Sequence, residues 1–259
     1  MTWLWIVPMG LLVGLALGGL GGGGAILTIP ALIYLLGEPP ATAAAGSLVI
    51  VLATCVIGLV PHLRDARVRL TDGFIFGALG ILGSVMGSRW SSGVREEVLL
   101  SAFAILLIVV AAVMALRARR QGREAPDRIV AQRDTAWLLR LVIAASGVGL
   151  LTGFFGVGGG FAVVPALVLV VGLPMREAVA TSLLVIAINC ATALLARLSG
   201  GVQIDWLIVI PFAFVAVLGS LLGARLAKGV NQAVLGQAFA GLLLLIGLVM
   251  AVENFPQVF

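Results

Sequence analysis

The sequence predicts an all-α integral membrane protein, a polytopic helical bundle of two homologous repeats whose helices are interrupted at glycine-rich breaks. Three observations lead there. Of the 259 residues, 61% are hydrophobic and 10% charged, against about 45–50% and about 25% in soluble domains. Apolar stretches recur along the whole chain. The second half also repeats the glycine and proline pattern of the first.

In chain order, the apolar stretches run over residues 3–20, 25–36, 43–60, 73–88, 97–116, 137–155, 161–171, 178–195, 206–223 and 232–252. Crossing a hydrocarbon core of about 30 Å takes about 20 helical residues. The stretches at 25–36 and 161–171 are too short and read as half-helices. The start, Met1-Thr2-Trp3-Leu4-Trp5, has no basic region ahead of its apolar run, so it reads as a retained first span. The one hydrophilic break carries Arg117, Arg119, Arg120, Arg123, Arg128, Arg133 and Arg140 against Glu124, Asp127 and Asp134. It divides the chain into a first transmembrane repeat, 1–116, an Arg-rich linker, 117–136, and a second repeat, 137–259.

At one constant offset Gly18 falls on Gly153, Gly21 on Gly156, Gly23 on Gly158, Gly24 on Gly159, Pro30 on Pro165, Gly37 on Gly172, Pro39 on Pro174, Ser47 on Ser182 and Cys55 on Cys190. With one further residue of offset, Gly83, Ser84, Gly87 and Arg89 fall on Gly219, Ser220, Gly223 and Arg225. Apolar helices alike by chance would not align glycines and prolines. The count is eight spans, or ten segments if each glycine run splits its helix. With eight, Arg89, Arg95, Arg176, Arg225 and Lys228 face the non-cytoplasmic side; with ten, Arg89, Arg95 and Arg197 do. The second distribution is more lopsided and favours inverted repeats. Both place the linker in the cytoplasm, with the chain multi-pass in the cell (inner) membrane.

The net charge of +5 is concentrated in short stretches between apolar runs, which fits cytoplasmic loops and excludes a nucleic-acid face. Cys55 and Cys190 lie inside apolar runs and read as packing residues, without a disulfide or a metal site. The sequence calls for no cofactor and no catalytic residue. Ser47 with His62 is the sole pair resembling a nucleophile and base, and Ala45-Gly46-Ser47-Leu48 is no nucleophile motif. No carboxylate lies deep in a span, which argues against an Asp or Glu proton relay.

Two glycine runs, Gly18–Gly24 and Gly153–Gly160, carry the functional reading. Each glycine costs a helix about 1 kcal/mol relative to alanine, so the runs unwind it. Unwound backbone is tolerated in a membrane where protein buries it or a wet cavity borders it. Each break also exposes the N-terminus of the half-helix that follows, with free N–H groups and about half a positive charge. Candidate substrate-binding residues are therefore Gly21, Gly23, Gly24, Gly156, Gly158, Gly159 and Gly160, joined by Ser47, Thr181, Ser182 and Asn189, with Thr54 matching Asn189. Close helix packing is the plain alternative for glycines, and Gly83 with Gly87 and Gly219 with Gly223 are read that way. Ser47 and Ser182 equally suit bonding to their own helix carbonyls. His62 is expected in a loop; Thr71, Asp72 and Asp205 read as helix N-caps. Arg89 and Arg225 read as interfacial anchors, or as a gate that attracts anions.

These motifs resemble the TauE/SafE family of sulfite exporters, also called the toluene sulfonate uptake permease family. The resemblance rests on Gly153-Phe154-Phe155-Gly156-Val157-Gly158-Gly159-Gly160-Phe161, Pro165, Pro174, Ala180-Thr181-Ser182 and the degenerate copy from Gly18 to Pro30. The first copy departs from it at Leu20, Gly22 and Gly46, which stand where the second has Phe155, Val157 and Thr181. The resemblance implies a secondary transporter of a small anion, a sulfur-containing oxyanion or an organosulfonate. An anion channel and a membrane assembly factor that moves no solute are the competing classes. The expected partners are the bilayer and a small anionic solute; self-association is left open.

Overall fold

The computed structural model describes residues 3–65, 68–91, 96–121, 135–155, 160–199 and 203–254. Helices α1 (Trp3–Leu20), α2 (Gly23–Pro30), α3 (Pro40–Arg64), α4 (Leu70–Ser91) and α5 (Glu96–Gln121) make the first half. Helices α6 (Thr135–Phe155), α7 (Gly160–Leu169), α8 (Met175–Ser199), α9 (Trp206–Gly229) and α10 (Gln232–Asn254) make the second. The result is a polytopic membrane helical bundle. Six of the described helices are long and apolar enough to cross a bilayer, among them α3, α8, α9 and α10. Helix α7, with 10 residues, is about 15 Å long, half of a bilayer core. Pro30 ends the regular part of α2, which continues as a π-helical turn over Ala31–Leu35. A proline removes a backbone donor and crowds the preceding turn, and a widened turn absorbs both.

The halves interlock. The most extensive helix contacts are α4 on α6, α1 on α9 and α5 on α10. Helix α1 thus leaves its own half to pack on α9, and its counterpart α6 packs on α4 in return. Lipid tails are as apolar as the side chains, so helices gain by approaching closely, which small residues permit. A methyl at Gly219 would meet Leu11 and Gly14, and one at Gly223 would meet Leu15 and Gly19. In the other half a methyl at Gly83 would meet Ser146 and Gly149, and one at Gly87 would meet Leu150 and Phe154. The packing reading of these four glycines holds.

The same contacts give direction. Gly46 lies by Val209 and Gly58 by Ser220, so α3 runs parallel to α9. Gly73 lies by Thr181, Gly77 by Ile188 and Gly80 by Asn189, so α4 runs parallel to α8. Gly236 lies by Ala118 and Gly247 by Ile108, so α5 and α10, equivalent in the two repeats, are antiparallel. Equivalent helices of the two halves thus run in opposite senses, as in inverted repeats. One face of the bundle, the linker end, holds the end of α3, the starts of α4 and α8, the end of α9 and the residues flanking the linker.

Two expectations change. His62 lies in the last turn of α3, 3% exposed, not in a loop. The helix continues past Pro61, whose carbonyl accepts from Asp65 N–H at 3.3 Å, and this turns the imidazole inward. Thr71 and Asp72 sit inside the first turn of α4 and do not cap it. Asp72 is buried and points to Arg69 at 3.8 Å. Asp205 does cap α9, its Oδ1 accepting from Leu207 N–H at 2.9 Å. Helix α5 runs through Arg117 to Gln121, and 122–134 lies outside the described residues.

Candidate functional site

Helix α1 stops because Gly21 takes φ +77°. A side chain there would be strained, and glycine is not. The Gly21 N–H still donates to Leu17 O at 2.9 Å, which closes the last turn before the chain reverses. Helix α2 folds back along α1. A Cβ on Gly24 would stand 2.5 Å from Val13 O and 2.7 Å from Leu17 N, so only glycine fits.

Helices α2 and α7 meet at their first turns. Gly22 touches the backbone of Gly160 and Phe161, and Gly160 touches Ala25. Helix α7 is buried on every side from Gly160 to Val168. Phe161 is held edge-on by Phe103 of α5, with centroids 4.9 Å apart at 82°. At its far end Arg117 Nη1 donates to Leu169 O at 3.4 Å, opposing the negative end of the helix dipole. Two positive helix ends side by side repel one another.

The predicted residues divide. Gly21 and Ser182 come together: a Cβ on Gly21 would stand 2.5 Å from Ser182 Oγ. Gly160 is at the crossing. Gly24 faces α1, and Gly23 faces Leu242 and Phe239 of α10. Ser47 is buried on α3, donating to Ala44 O at 2.9 Å, and Ser182 donates to Val179 O at 2.8 Å. Both hydroxyls therefore bond their own helices; meeting a ligand requires a rotamer change. Thr181 Oγ1 accepts from Arg69 N–H at 3.2 Å. Asn189 is turned toward α4, its amide 3.8 Å from where a Gly80 Cβ would be. Its Oδ1 is buried with no hydrogen-bond partner among the described residues. Gly156, Gly158 and Gly159 lie outside the described residues.

Sequence reasoning passed over Gly22, which makes the closest approach to α7, and Ser220, whose buried hydroxyl donates to Thr54 O at 3.5 Å. Thr54 itself donates to Ile50 O at 2.6 Å. Gly22 was available in its glycine run. Ser220 had only its repeat match with Ser84 as a signal.

Residues 6–250 match the family described as Sulfite exporter TauE/SafE. The chain belongs to the TauE/SafE family. Its relatives carry the same assignment at the level of transport. A "Probable membrane transporter protein" of Xylella fastidiosa (strain 9a5c) is 35% identical over 228 residues, 85% of this chain and 83% of the relative. YdhB of Bacillus subtilis (strain 168), with the same description, is 27% identical over 246 residues, 93% of this chain and 99% of the relative. YfcA of Escherichia coli (strain K12), again so described, is 31% identical over 207 residues, 80% of this chain and 72% of the relative. No solved structure matches. The chain is thus one of a family of membrane transporters.

Proposed function

We propose that this TauE/SafE protein is a secondary transporter of a small anion, a sulfur-containing oxyanion or an organosulfonate. The observation that carries the reading is the meeting of the α2 and α7 N-terminal turns, beside Ser182. These groups supply N–H donors, helix-dipole charge and a hydroxyl, the donor set that an oxyanion needs. The crossing is closed by backbone contact at Gly22 and Gly160. Passage then requires the two halves to move against each other, which favours a carrier over an open pore.

Orientation belongs to the same proposal. Arg64, Arg69, Arg117, Arg140, Arg176, Arg225 and Lys228 gather at the linker end. Three exposed tryptophans, Trp5, Trp90 and Trp206, and the exposed Tyr34 lie at the opposite end, as in an interfacial belt. The linker end is then cytoplasmic, in the inner membrane. Binding of the anion stabilises the folded protein by mass action. In detergent, sulfite, thiosulfate or a short sulfonate at about 100 times its Kd should raise the melting temperature by several degrees over the same concentration of chloride. Ser182→Ala should reduce the shift. No shift with any of the three anions contradicts the reading.

A further inference from the structure

The linker end carries ion pairs that join one repeat to the other. Arg69, just ahead of α4, places Nε 2.7 Å from Glu177 Oε2 at the start of α8. Lys228, near the end of α9, places Nζ 2.8 Å from Asp65 Oδ2, beyond the end of α3. Arg176 Nη2 donates to the carbonyls of Lys228 and Val230, at 3.2 and 2.8 Å, which fixes α8 to the end of α9. The Arg69 backbone N–H also holds Thr181, the neighbour of Ser182.

Among the described residues no ion pair joins the repeats at the opposite end. Glu38 and Asp205 instead repel, and the Glu38 carboxyl is raised above its ordinary value by burial and then by the Asp205 charge. Asp205 occupies the position that the repeat assigns to Arg69. The fold is symmetric and its charges are not. Arg69 is poorly placed to receive an anion, because Glu177 at 2.7 Å and Asp72 at 3.8 Å already neutralise it.

We propose that Arg69–Glu177 and Lys228–Asp65 form a latch that closes the linker end of the pathway. In this state the Ser182 region is sealed from that side, and breaking the pairs lets the end of α3 and the start of α4 part from α9 and α8. The proposal rests on the reading of the α2–α7 crossing as the pathway, and its test needs no substrate.

The test places a single cysteine at Ser182 in a Cys55→Ala/Cys190→Ala background and measures labelling by a membrane-impermeant maleimide, applied to vesicles with the linker end outward. The intact latch should label slowly. Arg69→Gln and Lys228→Asp should each raise the rate by about tenfold, the latter because it sets two carboxylates together. The charge exchange Asp65→Lys/Lys228→Asp should restore the rate to within about twofold of the parent. Labelling that stays slow in both single variants, with the proteins still folded by melting temperature, overturns the latch. So does a charge exchange that labels as fast as Lys228→Asp alone. A protein that labels as expected but binds no sulfur anion keeps the latch and loses the substrate assignment.

Discussion

At Gly21 one residue decides whether α1 can turn back. Its φ of +77° disfavours any L side chain, and a Cβ would press on Ser182 Oγ. Gly21→Ala should therefore lower stability by roughly 2 kcal/mol, adding the left-handed penalty to the contact. Gly241 provides the contrast, lying inside α10 with nothing within 4 Å of its missing Cβ. Gly241→Ala should stabilise by up to about 1 kcal/mol, through helix propensity alone. Melting of the two variants in one detergent checks both signs. The sequence made Gly21 legible as a candidate because the run repeats, but it ranked Gly23 with Gly21 and left out Gly22. That distinction depends on which neighbour each Cα meets, Ser182 and Gly160 in one case and Leu242 in the other. His62 was misread for a related reason: hydropathy falls at Pro61-His62-Leu63-Arg64 while the backbone hydrogen bonding continues.

At the scale of elements, the half-helices were legible from length, since α2 and α7 follow glycine runs and are too short to cross. Their mutual contact was not, because the sequence places them far apart and only the folding back of α1 into α2 and the interlocking of the halves bring them together. The helix ends carry their own chemistry. Glu38, between the π-helical turn and α3, has a raised carboxyl pKa, so the folded protein holds its proton more tightly than the unfolded chain does. Its favourable contribution is present below the ordinary carboxylate pKa and is lost as pH rises through the folded value. At pH 7 Glu38 therefore subtracts stability. Glu38→Gln should melt about 1 °C higher at pH 7, a small effect because the site is partly solvated, with the gap closing as pH falls toward about 4. Asp205→Asn should act in the same direction while preserving the cap on Leu207.

Over the whole molecule, duplication was legible in the sequence and the hand of the repeat was only suggested by arginines. The geometry resolves it, because α5 and α10 run antiparallel while α3 follows α9 and α4 follows α8. The proposed orientation follows from charge and aromatic content at the two ends. A cysteine at Arg176 should react with an impermeant thiol reagent in inverted vesicles and not in intact cells, whereas one at Asp205 should do the opposite. The central claim is that a small sulfur-containing anion crosses where α2 meets α7. Its most direct test is uptake of radiolabelled sulfite, thiosulfate and a short sulfonate into liposomes holding the purified protein, with Ser182→Ala beside the wild type. Saturable uptake of at least one of these anions is expected, falling by about tenfold or more in Ser182→Ala, the loss of one charge-assisted hydrogen bond. Uptake no faster than into empty liposomes, under an imposed membrane potential and under a proton gradient, would contradict it.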